Sequence, residues 1–194
     1  MLLTGDIFEH NRLKTEILGR TRTVLEAFDL PVVMLPGNHD PLIPGSVWDR
    51  GALGSVDNVH VLGEDAHTAA FPDFNLEIWG RAHTDYDDVN PLAGAPQRSA
   101  RWHVVAGHGH YAEARTPAGK PGPSWLFTTE DIEATGADYV ALGHWNRQIR
   151  VGSGTVPAWY SGSPDYARTV NVVRLRSSGA VDVTSTPVRG NLPA

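Results

Sequence analysis

The pentapeptide Pro-Gly-Asn-His-Asp at residues 36–40 most constrains how this chain can fold. It follows the apolar run 32–35, which is too short for a helix and β-branched at its start, so this run predicts a buried strand that ends at Pro36. Gly37 allows a sharp turn that other residues resist. The turn therefore presents an amide, an imidazole and a carboxylate together at the end of one strand.

Three further strands are predicted to end in the same way, with a glycine followed by polar side chains. Residues 1–4 lead into Gly5 and Asp6, residues 104–106 lead into the loop 107–110, and residues 139–142 lead into the loop 143–146. Ligands collect at the carboxyl ends of strands in sheets that are covered by helices. We therefore expect the four loops to converge on one site, although they lie far apart in the sequence.

A carboxylate, an amide and imidazoles at one site indicate a divalent metal ion. Such mixed ligands suit Mn, Fe or Zn better than Ca, and the chain has no cysteine, which excludes a thiolate site. Any single histidine is more often a structural core residue. The placement of His39, His108 and His144 after glycines at three separate strand ends favours a shared chemical role for these three.

The four loops resemble, in order, the motifs of the calcineurin-like metallophosphoesterases. The matching segments are residues 5–9, residues 37–40, the Gly107-His108 loop and residues 143–146. Residues 138–144 followed by 160–164 resemble the bacterial DNA-repair exonuclease branch of that family, the SbcD type. The length of the chain predicts a single core domain over residues 1–194, with no room for the cap domain that exonuclease relatives carry. The resemblance implies a four-layer α/β/β/α sandwich of the metallo-dependent phosphatase type.

Members of the family begin with an earlier strand that ends in Asp-x-His and is followed by a helix. No such unit precedes Gly5 in this sequence. The resemblance therefore predicts a core that is truncated at its N-terminus and lacks its first β-α unit.

The resemblance also implies a dinuclear metal site with the ligands Asp6, Asn38, His108, His144 and Asn146. Asp6 would bridge the two ions, and Asn146 stands where a histidine ligand of the first ion is usual. The second ion has four protein ligands in this chain, whereas the first has at most two, and an amide is a weaker ligand than imidazole. We therefore expect one well-held divalent ion, Mn²⁺ before Fe or Zn, and a second ion that is held weakly or not at all.

Two residues of the central turn receive catalytic roles from the resemblance. His39 would face the phosphate as general acid or charge stabiliser, and Asp40 would orient the imidazole of His39. His110, two residues past His108, is an alternative ligand or a substrate contact. His83 and Tyr86, in a polar loop that follows a predicted strand, are further candidates for substrate contact.

These features predict a metal-dependent phosphoesterase that hydrolyses phosphodiester bonds, in the manner of a DNA-repair exonuclease. The alternatives are a small-molecule phosphodiesterase or phosphatase, and a catalytically weak metal-binding domain. The formal net charge of −6 provides no general attraction to nucleic acid. DNA is among the expected diester substrates, and the resemblance implies a homodimer or a partner ATPase subunit. We expect a cytoplasmic location and no membrane association, since no leader or long apolar span is visible.

Four local predictions concern elements around the site. A helix is predicted from an N-cap at Asn11, with an apolar face made of Leu13, Ile17, Val24, Leu25 and Phe28. Residues 74–79 alternate apolar and polar side chains, which predicts a half-buried strand. A surface loop is predicted at residues 114–123. Three closing antiparallel strands are predicted at residues 158–160, 170–175 and 181–184.

Overall fold

The computed structural model describes residues 1–115 and 122–188; most of the predicted loop 114–123 lies outside these ranges. The helices are α1 (Thr15–Glu26), α2 (Val47–Gly51), α3 (Thr129–Ala134) and α4 (Pro164–Ala167). The strands are β1 (Leu2–Thr4), β2 (Val32–Leu35), β3 (Val59–Val61), β4 (Thr68–Phe71), β5 (Leu76–Gly80), β6 (Trp102–His108), β7 (His110–Tyr111), β8 (Leu126–Phe127), β9 (Tyr139–Gly143), β10 (Ile149–Val151), β11 (Ala158–Tyr160), β12 (Thr169–Leu175) and β13 (Val181–Pro187). None of the helices in these ranges is long and apolar enough to cross a membrane.

Two sheets face each other in the described part of the chain. The first is parallel and has the order β1-β2-β3, and the second has the order β10-β11-β9-β6-β5-β4. Strands β5, β6, β9 and β11 run parallel to one another, and antiparallel strands form both edges. Because β1 and β2 are parallel, as are β6 and β9, each pair brings two carboxyl ends, and thus two of the predicted loops, to one edge of its sheet.

Side chains of β2 alternate between two cores, as the two-residue period of a strand requires. Val32 and Met34 pack against α1 and α2, whereas Val33 and Leu35 pack against the second sheet. The far face of the second sheet packs on α3 through Ile132. The layers therefore run helix, sheet, sheet, helix, which confirms the predicted fold class.

The first helix begins later than the sequence predicts. Lys14, not Asn11, occupies the N-cap position of α1. The Asn11 side chain instead donates to the Pro41 carbonyl at 2.9 Å and accepts from the Val47 amide at 3.0 Å. Asn11 therefore links its loop to the segment that follows the central turn. Its side chain makes this long-range contact instead of capping the helix.

The apolar face predicted for this helix was also wrong in part. Leu18 and Leu25 are its buried residues, whereas Ile17 and Val24 are 43% and 67% exposed. Phe28 lies past the helix end and is 39% exposed. The buried stripe is therefore narrow, with two leucines spaced seven residues apart, and the neighbouring β-branched residues face outward.

Strand β5 departs from the prediction of a half-buried strand that starts at Phe74. Phe74 belongs to a short 3₁₀ helix and is exposed, and the strand itself is buried on both faces because it is covered by two cores. Glu77 is only 4% exposed, with its carboxylate 2.7 Å from Nδ1 of the fully buried His103. Ser99 donates two further hydrogen bonds to this carboxylate. A position that alternation assigns to solvent thus holds a buried carboxylate beside a buried imidazole.

The buried carboxylate of Glu77 predicts how the free energy of unfolding depends on pH. Burial raises the pKa of Glu77, but hydrogen bonds from Ser99 and contact with His103 outweigh it, so the pKa is lowered on balance. The carboxylate therefore stabilises the fold above its unfolded-state pKa, roughly 4.3, and this contribution is lost as the pH falls through the lower folded-state value. We expect Glu77→Gln to reduce the free energy of unfolding at pH 7 by about 3 kcal/mol.

Urea denaturation at pH 7 and near pH 3 tests this prediction. The difference between the wild type and Glu77→Gln should shrink at the lower pH, because the unfolded chain then binds a proton at Glu77 more readily than the folded chain does. Glu26→Gln, which changes an exposed carboxylate of α1, is the matched control and should have little effect. An equal loss at both pH values would contradict a role for the ionised carboxylate.

Candidate metal centre

Three predicted ligands come together where β1, β6 and β9 end. Asp6, His108 and His144 each place one donor atom so that all three atoms lie within 4.8 Å of one another. Asn38 joins this group, because its amide oxygen lies 3.0 Å from Nε2 of His108. The four residues come from four separate loops, which is the convergence that the sequence predicts.

His108 lies at the centre of the group and is fully buried. Its Nδ1 lies 2.7 Å from the Thr4 carbonyl, which can only accept, so Nδ1 carries a proton and donates. Its Nε2 faces Oδ2 of Asp6 and Oδ1 of Asn38, each at 3.0 Å. A proton on Nε2 or a bound cation would satisfy the two oxygens that face this nitrogen.

The spacing of these atoms fits a metal ion. Two ligands that each lie about 2.1 Å from an ion at right angles are separated by roughly 3 Å, which matches both distances from Nε2. The Thr4 carbonyl supplies the outer hydrogen bond that commonly fixes the orientation of a ligating histidine. We infer that Asp6, Asn38, His108 and His144 would hold one divalent ion.

The protonation states suit the same role. Burial raises the pKa of Asp6, but the hydrogen bond and charge of His108 outweigh it, together with the His39 amide, so the pKa is lowered on balance. Burial, followed by the charge of His108, lowers the pKa of His144 to about 4. The carboxylate is therefore ionised and the His144 ring neutral at physiological pH, as metal ligands must be.

The backbone is strained at two of these positions. Asp6 has a φ of 50° and His144 a φ of 105°, both in the region that side-chain-bearing residues rarely adopt. Such strain is typical of functional sites, where the surrounding structure holds it in place. Gly37, in contrast, does not need a left-handed φ; a Cβ there would lie 2.3 Å from the Asp6 amide, so close approach of the two loops explains this glycine.

Asp40 does not orient the His39 imidazole, contrary to the sequence-based hypothesis. The Asp40 carboxylate is fully buried and accepts backbone N–H groups from Gly37, Ile7 and Phe8 at 2.7 to 3.0 Å. Burial raises its pKa to about 6, against the opposing effect of the N–H donors. Asp40 therefore clamps the central turn to the loop after β1, and in that way holds Asn38 beside Asp6.

The loop after β1 positions His39. Its amide donates to Oδ1 of Asp6 at 2.9 Å, and its Nδ1 lies 3.1 Å from the carbonyl oxygen of Glu9. The imidazole is 47% exposed and stands at the rim of the centre. A catalytic role for His39 stays a prediction, but the ring is accessible to substrate.

The clamp made by Asp40 leads to a second prediction. Asp40→Asn keeps the shape of the side chain but places an NH₂ group against backbone N–H donors, so at least one donor loses its acceptor. We expect the free energy of unfolding to fall by about 2 kcal/mol at pH 7.5, as measured by urea denaturation. We also expect Mn²⁺ affinity to fall by roughly tenfold, because the clamp orients Asn38.

Asp49→Asn is the control for this substitution, because the Asp49 carboxylate accepts the backbone N–H of Gly45 at an exposed site. It should leave Mn²⁺ affinity unchanged. Full retention of both stability and metal affinity in Asp40→Asn would show that the clamp has no energetic role.

Two other predicted ligands are not joined to these four residues by a hydrogen bond within residues 1–115 and 122–188. Asn146 is exposed. His110 instead accepts the indole N–H of Trp145 on its Nδ1, at 3.2 Å. Burial lowers the pKa of His110. A second metal ion at Asn146 stays a prediction.

His83 and Tyr86 differ in their surroundings. His83 is buried, and its Nε2 lies 2.9 Å from the His108 carbonyl, so it supports the His108 loop from behind. Burial lowers the pKa of His83. Tyr86 is 65% exposed. Sequence reasoning missed Trp125, which contacts the edges of the His83 and His144 rings.

An aromatic stack beside the centre was also missed. The rings of Trp145 and Tyr160 are parallel, with centroids 4.5 Å apart and an interplanar angle of 10°. The Tyr160 hydroxyl donates to the Gly109 carbonyl at 2.7 Å and accepts from the Tyr111 amide. Tyr160 therefore links the end of β11 to the loop of His108. Its place in the segment 160–164 does not by itself predict this contact.

Comparisons with solved structures support the observed fold. One solved crystal structure matches with a TM-score of 0.58 and 15% sequence identity, over 88% of this chain and 72% of the other. A second, from Staphylococcus aureus under the name Putative 5'-Nucleotidase, matches with a TM-score of 0.54 and 18% identity, over 91% of this chain but only 41% of that protein. These likenesses show the fold. A search of curated protein sequences found no match.

The sequence also matches a family model over most of its length. Residues 1–148 match the model of the calcineurin-like phosphoesterases, and this segment contains Asp6, Asn38, His108 and His144. A family whose members are metal-dependent phosphoesterases agrees with the donor atoms that converge here. The chain therefore belongs to the calcineurin-like phosphoesterase family.

Proposed function

We propose that this chain hydrolyses phosphoesters of small molecules, of about nucleotide size, at the centre formed by Asp6, Asn38, His108 and His144. The observation that carries the proposal is the close grouping of oxygen and nitrogen atoms from these four residues, with the accessible His39 imidazole at its rim. A bound divalent ion would neutralise phosphate oxygens and lower the pKa of an attacking water.

The chain's own residues act around that ion. His39 has Nδ1 fixed against the Glu9 carbonyl, which leaves Nε2 facing outward. In its protonated form, Nε2 donates its proton to the leaving oxygen as the ester bond breaks. Thr4 and Asp40 act indirectly, since they hold His108 and the central turn in place. His39 is thus the proposed catalytic acid.

Two observations favour a small substrate over DNA. The formal net charge is −6, so long-range attraction to a polyanion is absent. One of the similar structures bears the name Putative 5'-Nucleotidase, although at 18% identity. DNA ends are the second candidate substrate, and the segments 138–144 and 160–164, which resemble the exonuclease branch, favour it together with the exposed Arg147 and Arg150.

The primary test is Mn²⁺-dependent hydrolysis of bis(4-nitrophenyl) phosphate and 4-nitrophenyl phosphate. His39→Ala and His144→Ala should each lose activity, whereas His67→Ala, which removes an exposed histidine distant in sequence from the four loops, should retain it. A folded, Mn²⁺-loaded wild type without activity towards either ester would refute the proposal. A short DNA duplex, assayed in parallel, decides between the two candidate substrates.

The number of metal ions is tested by calorimetric titration with Mn²⁺. We propose one tightly bound ion per chain, because Nε2 of His108 and donor atoms of Asp6, Asn38 and His144 lie together, whereas the side chain of Asn146 is exposed. His144→Ala should remove the tight binding, and Asn146→Ala should leave it. Two equally tight ions per wild-type chain would contradict this count.

A further inference from the structure

A cavity of about 750 Å³ lies between the loop after β9, the start of α3 and strand β10. Trp145 forms part of its wall and directly follows the ligand His144, while His110, at the start of β7, contacts the same indole. The volume falls within the range of roughly 300 to 1,000 Å³ that is usual for small-ligand sites. A substrate whose phosphate lies at the centre would have to extend past Trp145 to fill this cavity.

Trp145 and Arg147, which line the cavity, belong to a column of stacked planar groups. Tyr160 covers one face of the Trp145 indole at 4.5 Å. The guanidinium of Arg147 lies over the same indole, 4.9 Å from the ring centroid, and must occupy the opposite face because Tyr160 fills the first. Arg147 is exposed and lines the cavity, so its guanidinium forms the solvent-facing end of the column.

The charges around the cavity indicate what it can bind. Within residues 1–115 and 122–188, the side chains of Arg147 and Arg150 have no hydrogen-bond or ion-pair partner in the protein. Glu113 and Glu130 line the same cavity and can accept hydrogen bonds from amino or hydroxyl groups. A ligand that suits this wall has a planar ring for the guanidinium and hydrogen-bond donors for the carboxylates.

We propose that this cavity binds the nucleoside part of a nucleotide substrate, with the base stacked on the guanidinium of Arg147. The inference rests on the proposed function only for the position of the phosphate at the metal centre. Nucleic bases stack on arginine planes as they do on aromatic rings, and the amino groups of bases and the hydroxyls of ribose are donors for carboxylates. The stack on Trp145 fixes the guanidinium before the base arrives, so little side-chain entropy is lost on binding.

The test compares two ligands that differ only in the base. They are the phosphonate analogues of adenosine 5'-monophosphate and of ribose 5-phosphate, in which a P–C bond replaces the ester and prevents turnover. Binding to the full chain with Mn²⁺ is measured by isothermal titration. We expect the adenosine analogue to bind about tenfold more tightly, a difference typical of one stacked base.

Two variants separate stacking from charge. Arg147→Ala should bring the affinity ratio of the two ligands close to one. Arg147→Lys keeps the charge but lacks the planar guanidinium, so it should also lose most of the preference. Arg20→Ala, which removes an exposed arginine of α1, should keep the tenfold ratio.

The outcomes distinguish this inference from the proposed function. Equal affinities in the wild type, or a tenfold ratio that persists in Arg147→Ala, would overturn the nucleoside site even if nitrophenyl esters are hydrolysed. A tenfold ratio that depends on Arg147 would support the site even in a chain that hydrolyses no ester. Failure of ester hydrolysis bears on the proposed function alone.

Discussion

Asp6→Asn is expected to lower kcat/KM for bis(4-nitrophenyl) phosphate by roughly 10³-fold, since the loss of a metal-ligand charge removes several kcal/mol of transition-state stabilisation. The carboxylate of Asp6 lies 3.0 Å from Nε2 of His108, and it supplies the only negative charge among the four proposed ligands. An amide in its place offers a neutral and weaker oxygen. Mn²⁺ affinity, measured by calorimetric titration, should therefore fall with the rate.

The substitution should leave the fold intact. Asparagine tolerates the left-handed backbone of this position, where φ is 50°, as well as aspartate does. Its carbonyl oxygen can still accept the His39 amide that Oδ1 of Asp6 accepts in the wild type. Asp73→Asn, at an exposed position, is the control, and both variants should unfold in urea near the wild-type midpoint. Unchanged Mn²⁺ affinity in Asp6→Asn would show that the ion binds elsewhere.

The positions of the metal ligands could be predicted from the sequence because short-range rules determine them. A short apolar run that ends in glycine gives a strand end, and parallel strands bring their carboxyl ends to one edge. The convergence of the four loops follows from these two rules, whereas the choice of Asp6, Asn38, His108 and His144 within the loops came from the family resemblance. Their convergence in the structure is a property of strand direction and order.

The partners of these side chains could not be predicted in the same way. Asp40 accepts hydrogen bonds from Ile7 and Phe8, which lie 33 and 32 residues away, and no local pattern connects those positions. The stack of Trp145 on Tyr160 likewise joins the loop after β9 to strand β11 through tertiary packing. Alternation along β5 correctly predicts a strand, but it cannot reveal that a second core covers the face of Glu77.

The length of α1 shows a related limit. Asn11 is a residue type that often caps helices, yet its side chain bonds to Pro41 and Val47 instead. The prediction of the helix start therefore failed because a tertiary contact competes with the local cap. The helix itself could be predicted, since its apolar spacing continues to Leu25 in the observed element.

Gly143→Ala is expected to lower the free energy of unfolding by about 3 kcal/mol or more, at the upper end of the losses that overpacked cores show. A Cβ at this position would lie 1.7 Å from the Thr4 carbonyl oxygen and 2.9 Å from Nδ1 of His108. The Thr4 carbonyl belongs to the backbone and cannot move aside as the end of a flexible side chain could. The added methyl group must therefore push β9 away from the end of β1. Urea denaturation measures the loss.

Gly19→Ala provides a control of opposite sign. Gly19 lies in α1, and no atom comes within 4 Å of a Cβ built there, so alanine should stabilise the helix by up to about 1 kcal/mol. Both substitutions add the same methyl group, and they differ only in the space around it. A loss below about 0.5 kcal/mol in Gly143→Ala would contradict the close approach of β1 and β9.

The same substitution should also weaken metal binding. The hydrogen bond from Nδ1 of His108 to the Thr4 carbonyl fixes which nitrogen of the ring faces Asp6 and Asn38. When the added methyl group displaces that carbonyl, the ring loses its fixed orientation, and Mn²⁺ affinity should fall by roughly 10- to 100-fold in protein that is still folded. Calorimetric titration well below the unfolding midpoint separates this effect from unfolding, because the loss of affinity then persists while the helical circular dichroism signal remains that of the wild type.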